Sequence, residues 1–325
     1  MPRVPCRAER LDQPGGQERS IHRQLSSGVG TEPPRTTWVS RALGLAFVVV
    51  LVVGGIAALD SLTGPRELPR PAAPVGVERA PGPHGRMLVL LVDSLRWETA
   101  TDPRLMPNLV ALRAGATFGK VKPTRDAVTV PCIRAAFTGE DRTRVLGFVS
   151  NFLKRSVGVD SLFTDLAHDG RRAVALSDSA FAQFGGVGLE TRSNGDDGPN
   201  EVRDQNEAVG RAIALYAARD PRLGAAYAVT VIHLTYTDHV AHEQGVGSRE
   251  YEARFLAADR EIARLSAAVA PEDTLVVMGD HGHDANGRHA FGLDVPTIAL
   301  YRGSAFQRGY DLGTLSIRDH RYLMG

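Results

Sequence analysis

The chain has 325 residues, with 38 lysines and arginines against 37 aspartates and glutamates, and a formal net charge of +1. A balance this close to neutral lacks the basic excess that binding to the phosphate backbone requires, so no nucleic acid is expected as an obligate partner. The two cysteines, Cys6 and Cys132, fall on opposite sides of the apolar segment 43–59, and we expect no disulfide between them.

Residues 1–37 are polar, rich in Arg, Gly, Pro, Ser and Gln, and without a hydrophobic period, which predicts a disordered tail. Residues 43–59 carry no charge and are almost wholly aliphatic. At about 1.5 Å per residue this run covers most of a roughly 30 Å hydrocarbon layer, so residues 38–60 predict one transmembrane anchor. A cleaved signal peptide is the alternative, although the polar stretch before the run is longer than a usual signal n-region.

Charges beside the apolar segment predict its orientation. More arginines precede it than follow it closely, namely Arg19, Arg23, Arg35 and Arg41 before, and Arg66 and Arg70 after. The positive-inside rule therefore places the N-terminus in the cytoplasm and the bulk of the chain outside a cell membrane that it crosses once. Residues 61–85 are rich in proline and poor in apolar side chains, which predicts an extended linker.

Residues 86–325 predict one α/β domain, because short apolar runs typical of buried strands alternate with segments of helical period. The predicted strands are Met87–Val92, Ala173–Leu176, 228–234, Thr274–Met278 and 297–301, and the predicted helices are 107–114, 161–168, 201–218 and 249–269. This alternation predicts a mostly parallel central sheet with helices on both faces. Residues 185–199, rich in glycine and aspartate, are expected to form a long loop.

Three of the strand-like runs are each followed by an acidic residue, namely Asp93, Asp238 and Asp280. If these strands are neighbours, the three carboxylates converge at the carboxyl edge of the sheet, where α/β proteins bind ligands. Histidines lie close by in the sequence, at His242, His281 and His289. A single aspartate at a strand end is usually a cap or a turn former, but capping does not explain the accompanying histidines. Carboxylate and imidazole together are ligands for divalent metal ions.

A nucleophile for this site is predicted at Thr129. It precedes Pro131 and a stretch compatible with a helix, so its hydroxyl would lie at a helix N-terminus, which favours anions such as phosphate. A metal ion beside such a hydroxyl acidifies it and supplies a nucleophile at neutral pH. Thr124 and Thr138 are the competing candidates, and an ordinary helix cap is the alternative role for Thr129.

Five blocks, in this order and spacing, resemble the alkaline phosphatase superfamily. They are Asp93-Ser94-Leu95-Arg96, Pro123-Thr124 with Thr129-x-Pro131 and Thr138-Gly139, Asp238-His239-x-x-His242, Gly279-Asp280-His281-Gly282, and Gly287-Arg288-His289. Within the superfamily they are most similar to the catalytic domain of the GPI ethanolamine-phosphate transferases and to the nucleotide pyrophosphatase/phosphodiesterases. The resemblance covers about residues 87–303 and implies an alkaline-phosphatase-like fold.

The resemblance also implies a site and a chemistry. It implies two divalent metal ions, usually zinc, one held by Asp93, Thr129, Asp280 and His281 and the other by Asp238, His242 and His289. Thr129 would attack phosphorus and carry a phosphorylated intermediate, which water or an acceptor alcohol then resolves. The implied protein is a membrane-anchored, metal-dependent phosphodiesterase or phosphotransferase, with its catalytic domain outside the cytoplasm, acting on a small phosphate ester or a lipid headgroup.

Departures from the family pattern leave alternatives open. The phosphodiesterases carry Asn three residues after the nucleophile, where this chain has Cys132. Support for the oxyanion must then come from backbone amides, a metal ion or another side chain. Arg134 is one candidate for that support, and an exposed helix arginine is its alternative role. A sulfatase of the same superfamily needs Cys or Ser at the place of Thr129, with Arg four residues later rather than five. A third possibility is an anchored protein that keeps metal sites for structure alone.

Other features leave the setting of the site open. The transferases carry many membrane spans after the catalytic domain, so this chain is either a stand-alone anchored enzyme or a fragment. His239 and His283 flank predicted ligands without a place in the motifs, and we expect them outside the ligand set or exposed. Asp259, in a helix with arginine neighbours, predicts a surface ion pair.

Overall fold

A computed structural model describes residues 36–63, 85–141, 160–177, 179–184, 186, 188–193, 201–218, 227–289 and 292–325. Residues 1–35 of the predicted tail 1–37, most of the predicted linker and all of the segment 142–159 lie outside the described residues. The proposed boundaries of tail, anchor, linker and catalytic domain therefore stay predictions.

The first described helix is long, α1 (Thr36–Thr63). Its apolar side chains are exposed, among them Trp38, Leu43 and Phe47. A helix that is apolar on every side has no face suited to water. By length and composition, Trp38–Gly55 is the one stretch of the described chain that could cross a membrane.

The rest of the described chain is an α/β domain built on one eight-stranded sheet. Its strands are β1 (Met87–Val92), β2 (Thr117–Lys122), β3 (Ala173–Leu176), β4 (Leu189–Arg192), β5 (Val229–Leu234), β6 (Thr274–Met278), β7 (Thr297–Arg302) and β8 (Tyr310–Ser316). Its α-helices are α2 (Trp97–Ala100), α3 (Pro107–Leu112), α4 (Thr129–Thr138), α5 (Leu162–His168), α6 (Glu201–Ala217), α7 (Tyr236–Gln244), α8 (Arg249–Ala268) and α9 (Asp319–Met324). The strand order is β4-β3-β5-β1-β6-β7-β2-β8, and β7 alone runs against its neighbours. The predicted mostly parallel sheet is confirmed.

The sheet is buried on both faces, because alternate side chains of each strand enter two different cores. In β1, Met87 and its alternate neighbours pack with α4, α5 and α9, whereas Leu88 and its alternate neighbours pack with α3, α6, α7 and α8. All six residues of β1 are buried. A strand buried on both faces requires a continuous run of apolar residues, rather than alternating apolar and polar residues. The prediction of helices on both faces of the sheet is confirmed.

Three strands do not follow from the sequence patterns. β2 contains a glycine and two lysines, and β8, at the edge of the sheet, exposes most of its side chains. β4 is the opposite edge strand and lies inside residues 185–199, where a loop was predicted, so that prediction is wrong for Leu189–Arg192. Edge strands are half exposed and need no continuous apolar run. They therefore lack the sequence pattern by which the buried strands were predicted.

Asp259 does not form the predicted surface ion pair. It is buried, and its carboxylate accepts hydrogen bonds from the backbone amides of Asn108 and Leu109, at 3.0 and 2.9 Å, and from the Asn108 side chain at 2.7 Å. The two backbone amides belong to the first turn of α3, where no carbonyl of the helix itself can accept their hydrogen bonds. Asp259 of α8 thus caps α3 from a distance of about 150 residues in the chain, and no local pattern predicts such a partner.

His320 makes the stability of this domain sensitive to acid. The ring is buried, its Nδ1 contacts the hydroxyl of Tyr301, and burial lowers its pKa to about 3. The unfolded chain takes up a proton near pH 6.5 and the folded chain only near pH 3, so stability is complete above pH 6.5 and falls as the pH drops through this window. We expect a loss of up to about 1.4 kcal/mol per pH unit from this group.

Urea unfolding of the full chain in detergent, followed by circular dichroism at pH 7 and pH 5, measures this loss. His320→Gln should lose less unfolding free energy between the two pH values than the wild type, whereas the exposed His168→Gln should match the wild type. Equal losses in all three proteins would contradict a role for His320. Other titrating groups are the same in the three chains and cancel in the comparison.

Candidate active site

The sheet order brings the predicted site residues together. β5, β1 and β6 are adjacent and parallel, so their carboxyl ends lie at one edge. Asp93 directly follows β1, Asp238 lies in the first turn of α7 after β5, and Asp280 lies two residues after β6. Seven residues predicted from the sequence meet here, in two neighbouring clusters of donor atoms, namely Asp93, Thr129, Asp280 and His281, and Asp238, His242 and His289.

The first cluster is buried and surrounds the ring of His281. The Nε2 atom of His281 lies 3.3 Å from Asp280 Oδ2, 3.5 Å from Asp93 Oδ1 and 3.3 Å from Thr129 Oγ1. Asp93, Asp280 and His281 are buried, with 3%, 0% and 0% of their surface exposed. One imidazole nitrogen cannot satisfy two carboxylates and a hydroxyl together, so the donor set is suited to a shared cation.

The second cluster lies between α7 and the segment after β6. Asp238 Oδ1 is 3.5 Å from His242 Nε2 and 3.4 Å from His289 Nε2, and these two nitrogens are 2.9 Å apart. The spacing of four residues within α7 puts Asp238 and His242 on one face of the helix. His289 is oriented by its Nδ1, which donates to the backbone oxygen of Ala127 at 2.7 Å and leaves the lone pair of Nε2 facing the cluster.

Thr129 begins α4, and the N-terminal end of a helix favours anions. Its hydroxyl lies beside His281, as given above. Cys132 is buried, its Sγ contacts Thr124 Oγ1 at 3.3 Å, and burial raises the pKa of its thiol. The thiol therefore stays neutral at ordinary pH and faces another threonine. Arg134 is half-buried on α4, and its part in oxyanion support stays a prediction.

Ser94 joins the two clusters. Its Oγ lies 2.7 Å from Asp238 Oδ1 and 3.3 Å from Asp93 Oδ1, and its backbone amide donates to Asp280 Oδ1 at 3.0 Å. Its φ is +60°, and Ala127, whose oxygen holds His289, has φ +45°. These are the two non-glycine residues with positive φ in the described part of the chain, and both belong to this site. Backbone strain of this kind persists where surrounding contacts impose it.

The electrostatics of the clusters favour neutral imidazoles beside carboxylates. Burial lowers the pKa of His281 well below its usual value and also lowers the pKa of His289, while it raises the pKa of Asp280. Burial opposes the charge of Asp238 too, but the hydrogen bond with His283 and the nearby histidines outweigh it and lower the pKa of Asp238. Neutral imidazole nitrogens with free lone pairs are the form that binds metal.

The residues present fit a divalent cation. Asp280 Oδ2 is buried and accepts no hydrogen bond within the described part of the chain. An orphaned carboxylate oxygen in a buried cluster of acids and histidines lacks a countercharge, which a cation supplies. Carboxylate oxygen and imidazole nitrogen are ligands typical of zinc and related metals.

Two further histidines contact the predicted ligand residues, and the sequence patterns did not indicate the first of them. His233 lies within β5, fully buried, with Nε2 3.2 Å from Asp93 Oδ2 and Nδ1 3.1 Å from Ser177 Oγ. It holds one oxygen of Asp93 and so directs the other toward the first cluster. His283, expected to be exposed or outside the ligand set, is buried with its Nε2 3.2 Å from Asp238 Oδ1. His239 is exposed, as expected.

Fold and site together define a class: an alkaline-phosphatase-like α/β protein with a candidate metal site of acidic and histidine residues at the carboxyl edge of its sheet. The superfamily is metal-dependent. Residues 87–295, more than half of the chain, match the sequence profile of the type I phosphodiesterase / nucleotide pyrophosphatase family, and the chain belongs to that family. The predicted resemblance is thereby confirmed, as is an enzyme class that acts on phosphoric esters.

Curated relatives are the catalytic subunits of GPI ethanolamine phosphate transferase 3 from Mus musculus and Homo sapiens. Each is 26% identical to this chain, over 302 and 298 residues, covering 77% and 76% of it. The chain spans 26% of the length of these relatives.

Solved structures with a similar fold include an inactive variant of murine ectonucleotide pyrophosphatase / phosphodiesterase 5 in complex with AMP. It has a TM-score of 0.55 and 12% identity, covering 74% of this chain and 94% of that chain. The phosphonate monoester hydrolase of Agrobacterium radiobacter has a TM-score of 0.53 and 12% identity, covering 73% and 72%. At these identities the similarity shows the fold, and the predicted alkaline-phosphatase-like architecture is confirmed.

Proposed function

We propose that this chain is a membrane-anchored, metal-dependent phosphodiesterase or phosphotransferase that cleaves a phosphate ester through a phosphorylated Thr129. The observation that carries the proposal is the position of the Thr129 hydroxyl, at the start of α4 and 3.3 Å from His281, inside the acid and histidine cluster of a phosphodiesterase family member. Residues 38–60 anchor the chain, residues 61–85 form the linker, and residues 86–325 form the catalytic domain outside the cytoplasm.

Two ions, which we propose to be zinc, are held by the two clusters. Asp93, Thr129, Asp280 and His281 hold one ion, and Asp238, His242 and His289 the other. When bound, such ions acidify the threonine hydroxyl and neutralise charge on the phosphoryl oxygens. Burial raises the pKa of Asp280 in the absence of a cation, and such a countercharge would favour its ionised form.

The residues of the chain provide attack and orientation. The N-terminal end of α4 favours an anion and holds the phosphoryl group there, while Pro131 in its first turn has no N–H to donate. The oxygen of Thr129 forms a bond to phosphorus, the bond to the leaving oxygen breaks, and the phosphoryl group remains on Thr129. Water or an acceptor alcohol then attacks phosphorus and frees Thr129. His233 and Ser177 keep Asp93 oriented during both steps.

The substrate class is a phosphate diester, either a small molecule or a lipid headgroup. The curated relatives are named as ethanolamine phosphate transferases of GPI, and an anchor would hold the catalytic domain near lipid headgroups. Transfer to an alcohol and transfer to water differ only in the acceptor that reaches phosphorylated Thr129. The sulfatase alternative is disfavoured, because Thr129 stands where those enzymes require Cys or Ser.

A comparison of substrates tests this proposal. The full chain in detergent should hydrolyse bis(p-nitrophenyl) phosphate, and should release or transfer phosphoethanolamine from phosphatidylethanolamine vesicles if it uses lipid headgroups. Rates on p-nitrophenyl sulfate should be at least about 100-fold lower, because the site lacks the nucleophile of a sulfatase. Hydrolysis of the sulfate ester without hydrolysis of any phosphate ester would reject the proposal, and so would activity that persists in metal-free protein.

A further inference from the structure

We propose that His283 is a fourth ligand of the second metal site, which closes that site as a tetrahedron of Asp238, His242, His283 and His289. The inference rests on the proposed function, since it concerns an ion at the same centre. It adds a ligand that the sequence motifs do not include, and it gives the second ion four protein ligands.

The distances between the four donor atoms carry the inference. The donor atoms of Asp238, His242 and His289 lie 2.9 to 3.5 Å from one another. His283 Nε2 lies 3.2 Å from Asp238 Oδ1 and 3.4 Å from His242 Nε2. In a regular tetrahedron around zinc, bonds of about 2.0–2.1 Å place neighbouring donor atoms about 3.3–3.4 Å apart. The added atom therefore stands at the distance of a fourth corner.

The contacts of His283 all point into this cluster. Only 1% of its side chain is exposed, and its Nε2 has the two contacts given above. Its Nδ1 is buried and has no hydrogen-bond partner among the described residues. Within the described chain, the polar contacts of this buried ring are thus confined to Asp238 and His242.

Two glycines allow the segment after β6 to bring His283 and His289 against α7. A Cβ atom at Gly282 would lie 2.6 Å from Val295 Cγ1, and one at Gly287 would lie 1.9 Å from the backbone oxygen of Ala241 in α7. Gly287 also has φ +71°, which other residues rarely adopt. The close approach of this loop to α7 places the two ring nitrogens beside Asp238 and His242.

A fourth protein ligand changes what the second ion can do. A zinc ion with four protein ligands has no open position, whereas a catalytic zinc keeps one for water or substrate. Contact between metal and a reacting atom is then confined to the first cluster, where one of the four ligands, Thr129, is itself the proposed nucleophile. The second ion acts through its charge and by fixing Asp238, which accepts from Ser94 between the two clusters.

Nuclear magnetic resonance with cadmium as the probe tests the ligand count directly. The full chain, labelled with ¹⁵N-histidine and purified in detergent, is freed of metal and loaded with two equivalents of ¹¹³Cd²⁺. Scalar coupling between cadmium and the imidazole rings identifies each ligating histidine. We expect three coupled rings on the cadmium ion of the second cluster and one on the ion of the first cluster. In His283→Ala and in His283→Gln, the ion of the second cluster should keep two coupled rings.

Competition with a chelator measures the affinity of the two sites for zinc. His283→Ala should weaken the binding of one zinc ion by more than about 100-fold, the upper range for residues that only support a ligand, and should leave the other ion unchanged. His239→Ala, a neighbouring exposed histidine, is the control and should bind both ions as the wild type does.

The outcomes separate this inference from the proposed function. Two coupled rings on the second cadmium ion in the wild type overturn the role of His283, whether or not the variants fold, and leave the proposed function intact if diester hydrolysis still depends on metal. A zinc affinity of His283→Ala within about threefold of the wild type also overturns it. A wild-type chain that binds no cadmium overturns both proposals.

Discussion

Replacement of Thr129 by alanine is expected to lower the hydrolysis of bis(p-nitrophenyl) phosphate by at least about 10³-fold, because loss of an attacking oxygen removes the covalent route altogether. Thr129→Ser keeps an oxygen at the same position and should retain measurable activity. Most of the buried ligand set remains in Thr129→Ala, namely Asp93, Asp280 and His281. Metal content, measured by elemental analysis, should therefore stay close to that of the wild type.

A threonine at the other end of the same helix provides the control. The hydroxyl of Thr138 donates to the backbone oxygen of Arg134 at 2.8 Å and so satisfies the helix rather than the site. Thr138→Ala should keep the rate within a few-fold of the wild type. In the wild type, mass spectrometry after acid quenching should find a phosphoryl group on the peptide that contains Thr129. Unchanged activity of Thr129→Ala would refute the assignment of the nucleophile.

Removal of metal is expected to abolish activity and to destabilise the catalytic domain together. Asp93 and Asp280 are buried on either side of His281, and without a cation their charges face one another across a few ångströms. A ligand at 1,000 times its dissociation constant stabilises the folded state by about 4 kcal/mol per site. Zinc restored to the metal-free chain should therefore raise the unfolding free energy by several kcal/mol.

Dialysis against a chelator, followed by zinc in stoichiometric steps, measures both effects on one preparation. Diester hydrolysis should fall by at least about 10³-fold in the metal-free chain and return as zinc is added. The urea midpoint should rise over the same range of added zinc. Recovery after zinc addition shows that dialysis did not damage the protein. A metal-free chain, verified by elemental analysis, that keeps its rate and its urea midpoint would contradict both expectations.

The parts of the fold that can be predicted are those with a strong local signal. β1, β3 and β6 were predicted with their observed bounds, because strands buried on both faces require unbroken apolar sequence. The edge strands β4 and β8 were missed, because half of their side chains meet solvent. The cap that Asp259 provides was missed for a different reason, since its partners lie about 150 residues away.

The predicted ligand residues all lie in the two clusters, because a strand end followed by an acid is a local signal and the parallel sheet makes strand ends meet. His233 had a signal that was not used, since a polar ring inside an otherwise apolar strand must find a buried partner. His283 had none, because it lies in a segment without regular secondary structure, where neither a period of two nor of 3.6 residues indicates the direction of a side chain.

The central place of β1 in the sheet decides when the proposed metal sites can form. Its neighbours β5 and β6 supply the other acidic residues, yet Asp93 and His289 stand almost two hundred positions apart in the sequence. Under the proposed function, a chain in which these three strands have not yet come together lacks the full set of donor atoms. Metal uptake would then act as a proofreading step of biosynthesis.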